Sequence, residues 1–150
     1  MTPDANQPIV RLCMAAQERQ VAGDLDGARA LLRKAWADAS TAWERAVAAH
    51  YVAGVQPLAA GQHHWHRTAM DEARLAEAED AESVRELWPS LHLAFAGSLE
   101  GVGSPERAAA AYRDALDVAR GLGPSAEGYV RAAEEGLRRV TLGPREGSRE

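Results

Sequence analysis

The sequence predicts an all-α protein, and three observations support this prediction. Hydrophobic residues make up 46 % of the 150 residues, aromatic residues make up only 5 %, and alanine supplies much of the apolar share. Alanine is the strongest helix former and lets helices pack closely. Apolar residues recur with helical spacing in segments that end at glycine or proline. No long run of β-branched or aromatic residues alternates with polar ones, so we expect no strands.

The first two helical patterns are joined by a glycine turn. The first covers about residues 8–21 and the second about residues 25–39. Gly23 ends the first pattern because glycine readily adopts the left-handed cap conformation. The two segments therefore predict an antiparallel helical hairpin. The residues expected to face inward are Ile9, Leu12, Cys13, Ala16, Ala28, Leu31, Leu32, Ala35 and Trp36.

The third and fourth patterns are separated by a short break that contains proline. Ser40 or Thr41 is the predicted N-cap of the third helix, and Glu44 is placed to complete a capping box. Pro57 fits the first turn of the fourth helix, which extends to about Glu79. The residues expected to face inward are Trp43, Ala46, Val47, His50, Tyr51, Leu58, Trp65, Ala69, Met70, Ala73 and Ala76.

The last three patterns complete the chain. The fifth covers about residues 84–100, and Pro89 inside it either kinks that helix or marks its true start. The sixth covers residues 105–120 and the seventh about residues 126–142, which we expect to cap the C-terminal end. Residues 1–8 and 143–150 are polar and contain proline or glycine, so both ends are predicted to be disordered. Residues 9–142 are predicted to form a single helical domain.

Composition limits the environment and the partners. The net charge is −5 and no basic stripe is present, so nucleic acid is not an expected partner. No window approaches the ~18 apolar residues of a membrane span, and the N-terminus lacks the profile of a signal peptide. The single cysteine, Cys13, suits a reducing compartment. We therefore expect a soluble, cytoplasmic protein.

An internal repeat relates the first hairpin to the third. Residues 23–29, GDLDGAR, are followed by Leu32, and residues 103–109, GSPERAA, are followed at the same offset by Tyr112. Small residues at these offsets let two helices cross closely, while the large residue fills the gap beside the crossing. The pattern resembles the tetratricopeptide repeat (TPR) over most of residues 9–140.

Three further segments, AHYVAGVQP, HHWHRTAM and PSLHLAFAGS, resemble a group of uncharacterised bacterial TPR-like proteins. Two positions depart from that group, because His66 and Ala94 replace asparagines. The matching residues are His50, Gln56, Trp65, Pro89, Ser90 and Ser98.

The resemblance implies a right-handed superhelix of three antiparallel helix hairpins with a C-terminal capping helix. It also implies a scaffold that binds a peptide or protein partner in a concave groove. Under this hypothesis we expect no catalytic residue and no cofactor. The expected polar contacts of that groove are Arg11, Arg45, Tyr51 and Ser90. A short stack of hairpins leaves its end faces exposed, which is compatible with a homodimer.

The middle hairpin departs from TPR packing and suggests a different function. Residues 50–70 hold four of the five histidines, and the alignment directs His50 and His66 into one interface. His63 lies one turn before His66, and His92 starts the neighbouring face of the fifth helix. Imidazole is a common ligand of zinc and can act as a general base.

Two interpretations of these histidines remain open at the level of sequence. One is a small-molecule or metal-binding protein, or an enzyme, with His50, His63, His66 and His92 as candidate ligands and zinc as the candidate metal. The other is that His50 and His92 are packed core residues. Trp65, between two histidines, is either a core residue or the wall of a pocket.

Overall fold

A computed structural model describes residues 6–142, and 84 % of these residues are helical. The prediction of an all-α protein is confirmed, since residues 6–142 contain no strand. None of the helices in this range is long and apolar enough to cross a membrane. The described helices are α1 (Pro8–Val21), α2 (Leu25–Asp38), α3 (Ala42–Ala53), α4 (Ala59–Glu79), α5 (Ala81–Val84), α6 (Trp88–Gly101), α7 (Pro105–Gly121) and α8 (Glu127–Leu142), with a 3₁₀ turn at Pro124–Ala126 before α8.

The predictions of disorder fall mainly outside the described part of the chain. Residues 1–5 and 143–150 lie outside the described residues, whereas Pro8 already belongs to α1. The described chain forms two compact units, which meet in sequence between Leu87 and Trp88. Unit 1 contains α1 to α5, and unit 2 contains α6 to α8. The predicted single domain over residues 9–142 stays a prediction.

The helix ends follow local sequence signals in most places. Gly23 has φ +85° in the turn that ends α1, and the Asp24 side chain accepts a hydrogen bond from the Gly27 N–H at 2.9 Å. Thr41 caps α3, and its hydroxyl accepts from the Glu44 N–H at 3.1 Å in the predicted capping box. Pro89 occupies the first turn of α6, so of the two alternatives it marks the start of the helix.

The start of α4 is the clearest departure from the predicted boundaries. Pro57 was expected in the first turn of this helix, but α4 begins at Ala59 with Leu58 as its N-cap. The side chain of Gln62 reaches back from α4 and donates to the Gln56 carbonyl at 2.9 Å. This bond helps to hold a loop at the position where the prediction extends the helix.

Unit 1 is built on close contacts between small residues. Helices α3 and α4 pack against each other through alanines, and Ala46, Ala49, Ala69 and Ala73 are fully buried. Helix α1 packs on α2 and on α3 around Cys13, which is also fully buried. Because methyl side chains occupy these seams, the larger residues of the unit fill the spaces beside the helix crossings.

Unit 2 packs α7 between α6 and α8. Tyr112 is buried at the centre of this unit, and its hydroxyl contacts Glu100. Arg139 donates to both carboxylate oxygens of Glu100, at 2.7 and 2.9 Å, and to the Tyr112 hydroxyl at 3.1 Å. Burial and then the Glu100 carboxylate raise the pKa of Tyr112 to about 12. The three side chains therefore join the three helices through one polar cluster.

Candidate functional site

A pocket of about 560 Å³ opens on unit 1, and its volume falls within the range of ligand-binding pockets. Its wall is formed by α2, by the end of α3 with the loop that follows, and by α4. The residues that line it are Arg29, Leu32, Arg33, Trp36, Val52, Val55, Gln56, Pro57 and Trp65.

Two tryptophans give the pocket an aromatic wall. Trp36 of α2 and Trp65 of α4 meet edge to face, with ring centroids 5.0 Å apart and an interplanar angle of 87°. Both rings are half-buried and pack against the core of unit 1. This arrangement leaves part of each ring available to a ligand. Of the two sequence interpretations of Trp65, the structure places it at the pocket wall and against the core at once.

The loop after α3 forms the rim of the pocket. The Gln56 side chain donates to the Val52 carbonyl at 3.2 Å and lies against Gly61 of α4. A Cβ on Gly61 would approach the Gln56 Oε1 to 3.4 Å, so glycine leaves room for this side chain. A second helix also holds this loop. The side chain of Gln20, on α1, donates to the Gly54 carbonyl at 3.1 Å.

Two arginines make the pocket electropositive. Arg29 and Arg33 lie one turn apart on α2, and no Asp or Glu is among the lining residues that the structure describes. The Arg29 Nε donates to the Val55 carbonyl at 3.2 Å, which ties α2 to the rim. Sequence reasoning missed both arginines. The sequence nevertheless contains a signal for them. Residues 29, 32, 33 and 36 share one face of a helix, which places the two cations next to Trp36.

Two histidines of the middle hairpin form a half-buried pair. The rings of His50 on α3 and His66 on α4 have centroids 5.6 Å apart. The rings of His50 and Tyr51 meet edge to face, with centroids 5.8 Å apart. The Nδ1 atoms of both histidines are buried, and no hydrogen-bond partner for them occurs in residues 6–142. Burial lowers the pKa of His50, and burial with the charges of His50 and His63 lowers the pKa of His66 to about 4.

Because both pKa values are lowered, both imidazoles are neutral at pH 7. Across residues 6–142, no three His, Cys, Asp or Glu side chains are grouped so that they could hold a metal ion. His92 belongs to unit 2, where its ring lies 5.3 Å from that of Trp88. The structure therefore gives the predicted metal alternative no set of three ligands in the described residues.

The other residues predicted to contact a partner lie apart from the pocket lining. Arg11 is exposed on α1, and the Nε of Arg45 pairs with Glu72 of α4 at 3.1 Å. Ser90 lies in unit 2, where its hydroxyl donates to the Tyr129 hydroxyl at 3.0 Å. Arg45 and Ser90 thus have partners within the fold. The predicted polar contacts and the observed pocket are different sets of residues.

The described lining of the pocket is aromatic, aliphatic and cationic. Among the described lining residues there is no carboxylate, thiol, hydroxyl or imidazole group, so these residues supply no nucleophile and no general base near neutral pH. They do supply aromatic and aliphatic surface together with two guanidinium groups.

No protein-family model matches this chain, and neither a curated protein nor a solved structure matches it.

Proposed function

We propose that the chain is a binding protein that holds an apolar side chain of a peptide or protein partner in the pocket of unit 1. The observation that carries this proposal is the tryptophan-walled pocket without a nucleophile or a general base. An anchor residue buried against aromatic rings is the typical source of affinity in such a site. The proposal keeps the predicted scaffold function and the predicted contact Trp65, and it replaces the predicted polar contacts with the pocket lining.

The repeat pattern supports a peptide as the ligand. The turns at Gly23 and Gly103 have the same left-handed conformation, with φ of +85° and +78°, at matching places of the first and third hairpins. TPR-like hairpins stacked as a right-handed superhelix commonly present grooves for extended segments, and we include that arrangement in the proposal. We also place the protein in the cytoplasm, where the free thiol of Cys13 stays reduced.

A displayed library of random peptides, selected against the full-length chain, tests this proposal. We expect the enriched peptides to share one large apolar anchor residue. In ¹⁵N NMR spectra, these peptides should shift the indole N–H signals of Trp36 and Trp65. The signal of Trp43 is the internal reference, since its indole donates to the Ser83 carbonyl at 3.0 Å and does not line the pocket.

A matched pair of substitutions on the rim gives the control. Pro57 is exposed and lines the pocket, whereas its neighbour Leu58 is 71 % exposed and does not line it. Pro57→Trp places an indole at the mouth of the pocket and should weaken the selected peptides at least about tenfold. Leu58→Trp should leave their affinity unchanged. A library without enrichment, or peptides that bind both variants equally well, would contradict the proposal.

A further inference from the structure

We propose that the partner segment carries an acidic residue beside its apolar anchor, and that Arg33 receives the carboxylate of this residue. The inference rests on the proposed function, because it names the chemistry of the ligand of that same pocket. Three observations carry it: the charge of the pocket lining, the partners of the two arginines, and the position of Arg33 beside Trp36.

The lining has a charge opposite to that of the chain. The whole chain has a net charge of −5, yet within residues 6–142 the charged residues of the pocket lining are Arg29 and Arg33, with no acid. A cationic pocket in an acidic protein attracts anionic groups locally and disfavours cationic ones. Charge complementarity therefore selects an acidic partner segment over a basic or neutral one.

The two arginines differ in the hydrogen-bond and ion-pair partners that their guanidinium groups have within the fold. The Nε of Arg29 donates to the Val55 carbonyl, and its NH1 lies 3.9 Å from a carboxylate oxygen of Asp26. Arg33 is exposed, and no Asp or Glu of residues 6–142 lies within ion-pair distance of its guanidinium. Arg29 thus positions the rim, while Arg33 has its donors available for a ligand.

The position of Arg33 beside Trp36 explains why the acidic residue of the ligand should lie next to its apolar anchor residue. Residues 33 and 36 are neighbours on the surface of α2, since side chains three residues apart on a helix lie on the same face. An apolar side chain that packs on Trp36 therefore brings the adjacent residue of the ligand close to Arg33. The guanidinium group is planar and binds a carboxylate through two parallel hydrogen bonds, which lysine cannot do.

Two synthetic peptides distinguish the contribution of the carboxylate to affinity from that of the apolar anchor residue. The peptides acetyl-Glu-Glu-Trp-Leu-amide and acetyl-Gln-Gln-Trp-Leu-amide share their apolar residues and differ in charge. Titration of the full-length chain, followed at the Trp36 and Trp65 indole signals, should show about tenfold tighter binding of the Glu peptide at low salt. Added salt should reduce this ratio, because exposed ion pairs are screened.

Arg33→Gln should remove the difference in affinity between the two probes. The matched control is Lys34→Gln, which changes the net charge equally on the same helix. Lys34 does not line the pocket and pairs with Asp38 at 2.8 Å. Lys34→Gln should keep the preference for the Glu peptide.

Each alternative outcome has a defined meaning. Equal binding of the two probes to the unmodified chain would overturn the role of the carboxylate and leave the proposed apolar pocket intact. Equal effects of the two substitutions would show a long-range effect of charge and overturn the assignment to Arg33. Failure of both probes to bind at about 1 mM would overturn the proposed function and this inference together.

Discussion

At the scale of single residues, the sequence predicts the histidine pair and misses the pocket cations. The repeat offsets direct His50 and His66 into one interface, and the structure brings their rings to a centroid distance of 5.6 Å. Local spacing is sufficient there because both positions lie on the buried faces of one hairpin. Arg33 is different, since its significance depends on Trp65, which reaches the same pocket from a helix distant in sequence.

The histidine pair makes stability depend on pH. Burial lowers the pKa of both histidines below the ordinary value of 6.5, to about 4 for His66, so the unfolded chain binds more protons than the folded chain. Stability from this source is fully present above pH 6.5 and is lost as the pH falls toward about 4. The free energy of unfolding should fall by up to about 1.4 kcal/mol per pH unit for His66.

Urea denaturation at several pH values across this interval measures the effect. His66→Gln cannot take up the proton, so the variant should show a smaller pH dependence than the unmodified chain between pH 6.5 and 4. Carboxylates also titrate in the lower part of this interval, but the substitution leaves them unchanged, so the difference between the two proteins isolates the histidine. A pH dependence unchanged by His66→Gln would show that other groups cause it.

At the scale of helices, local signals determine the ends of α3 and α6, and contacts from elsewhere in unit 1 determine the loop before α4. The Thr41 and Glu44 pair is a complete capping signal within four residues, so the sequence predicts it correctly. The loop before α4 is held by Gln20 of α1 and Arg29 of α2, which donate to the Gly54 and Val55 carbonyls. Such tertiary contacts cannot be seen in the local pattern around Pro57.

The contact between α7 and α8 depends on one glycine. A Cβ on Gly136 would lie 2.3 Å from the Cε1 of Tyr112, whose ring is buried and bonded to Glu100 and Arg139. Gly136→Ala must therefore displace the ring or separate the helices. We expect the free energy of unfolding to fall by about 1–3 kcal/mol, the usual cost of overpacking a core.

A second glycine of α8 serves as the control. Gly128 is exposed, and a Cβ there would meet nothing within 4 Å. Gly128→Ala should therefore raise stability by about 0.5 kcal/mol, because alanine reduces the entropy of the unfolded chain. Chemical denaturation of the two variants compares them directly. A Gly136→Ala variant as stable as Gly128→Ala would contradict the close packing of α8 on α7.

At the scale of the whole molecule, composition is sufficient to predict the fold class. Alanine seams and the absence of alternating patterns predict helices throughout, and the described residues are helical with no strand. The division into two units at Leu87 and Trp88 is not visible in composition or periodicity. It arises from which helices contact each other, and long-range contacts of this kind depend on side-chain packing that a pattern does not encode.

Cys13 provides a reporter for the opening of unit 1. Its side chain is fully buried, and burial raises the pKa of the thiol to about 12, so the reactive thiolate is scarce in the folded state. A thiol reagent should therefore modify Cys13 only as unit 1 unfolds. The extent of labelling should follow the loss of α1 in a urea titration. Rapid modification of the folded chain at pH 8 would contradict this burial.

The rim of the pocket has a consequence for thermodynamic linkage. Side chains from α1 and α2 hold the carbonyls of the loop between α3 and α4, so four helices must be assembled before the pocket exists. A ligand of this pocket then binds the native state and not the unfolded chain. At a concentration of about 100 times Kd it adds about 2.7 kcal/mol to the stability of unit 1. The melting temperature of the chain should therefore rise when a ligand binds. A collection of acidic peptides can be ranked by this rise before any partner has been isolated.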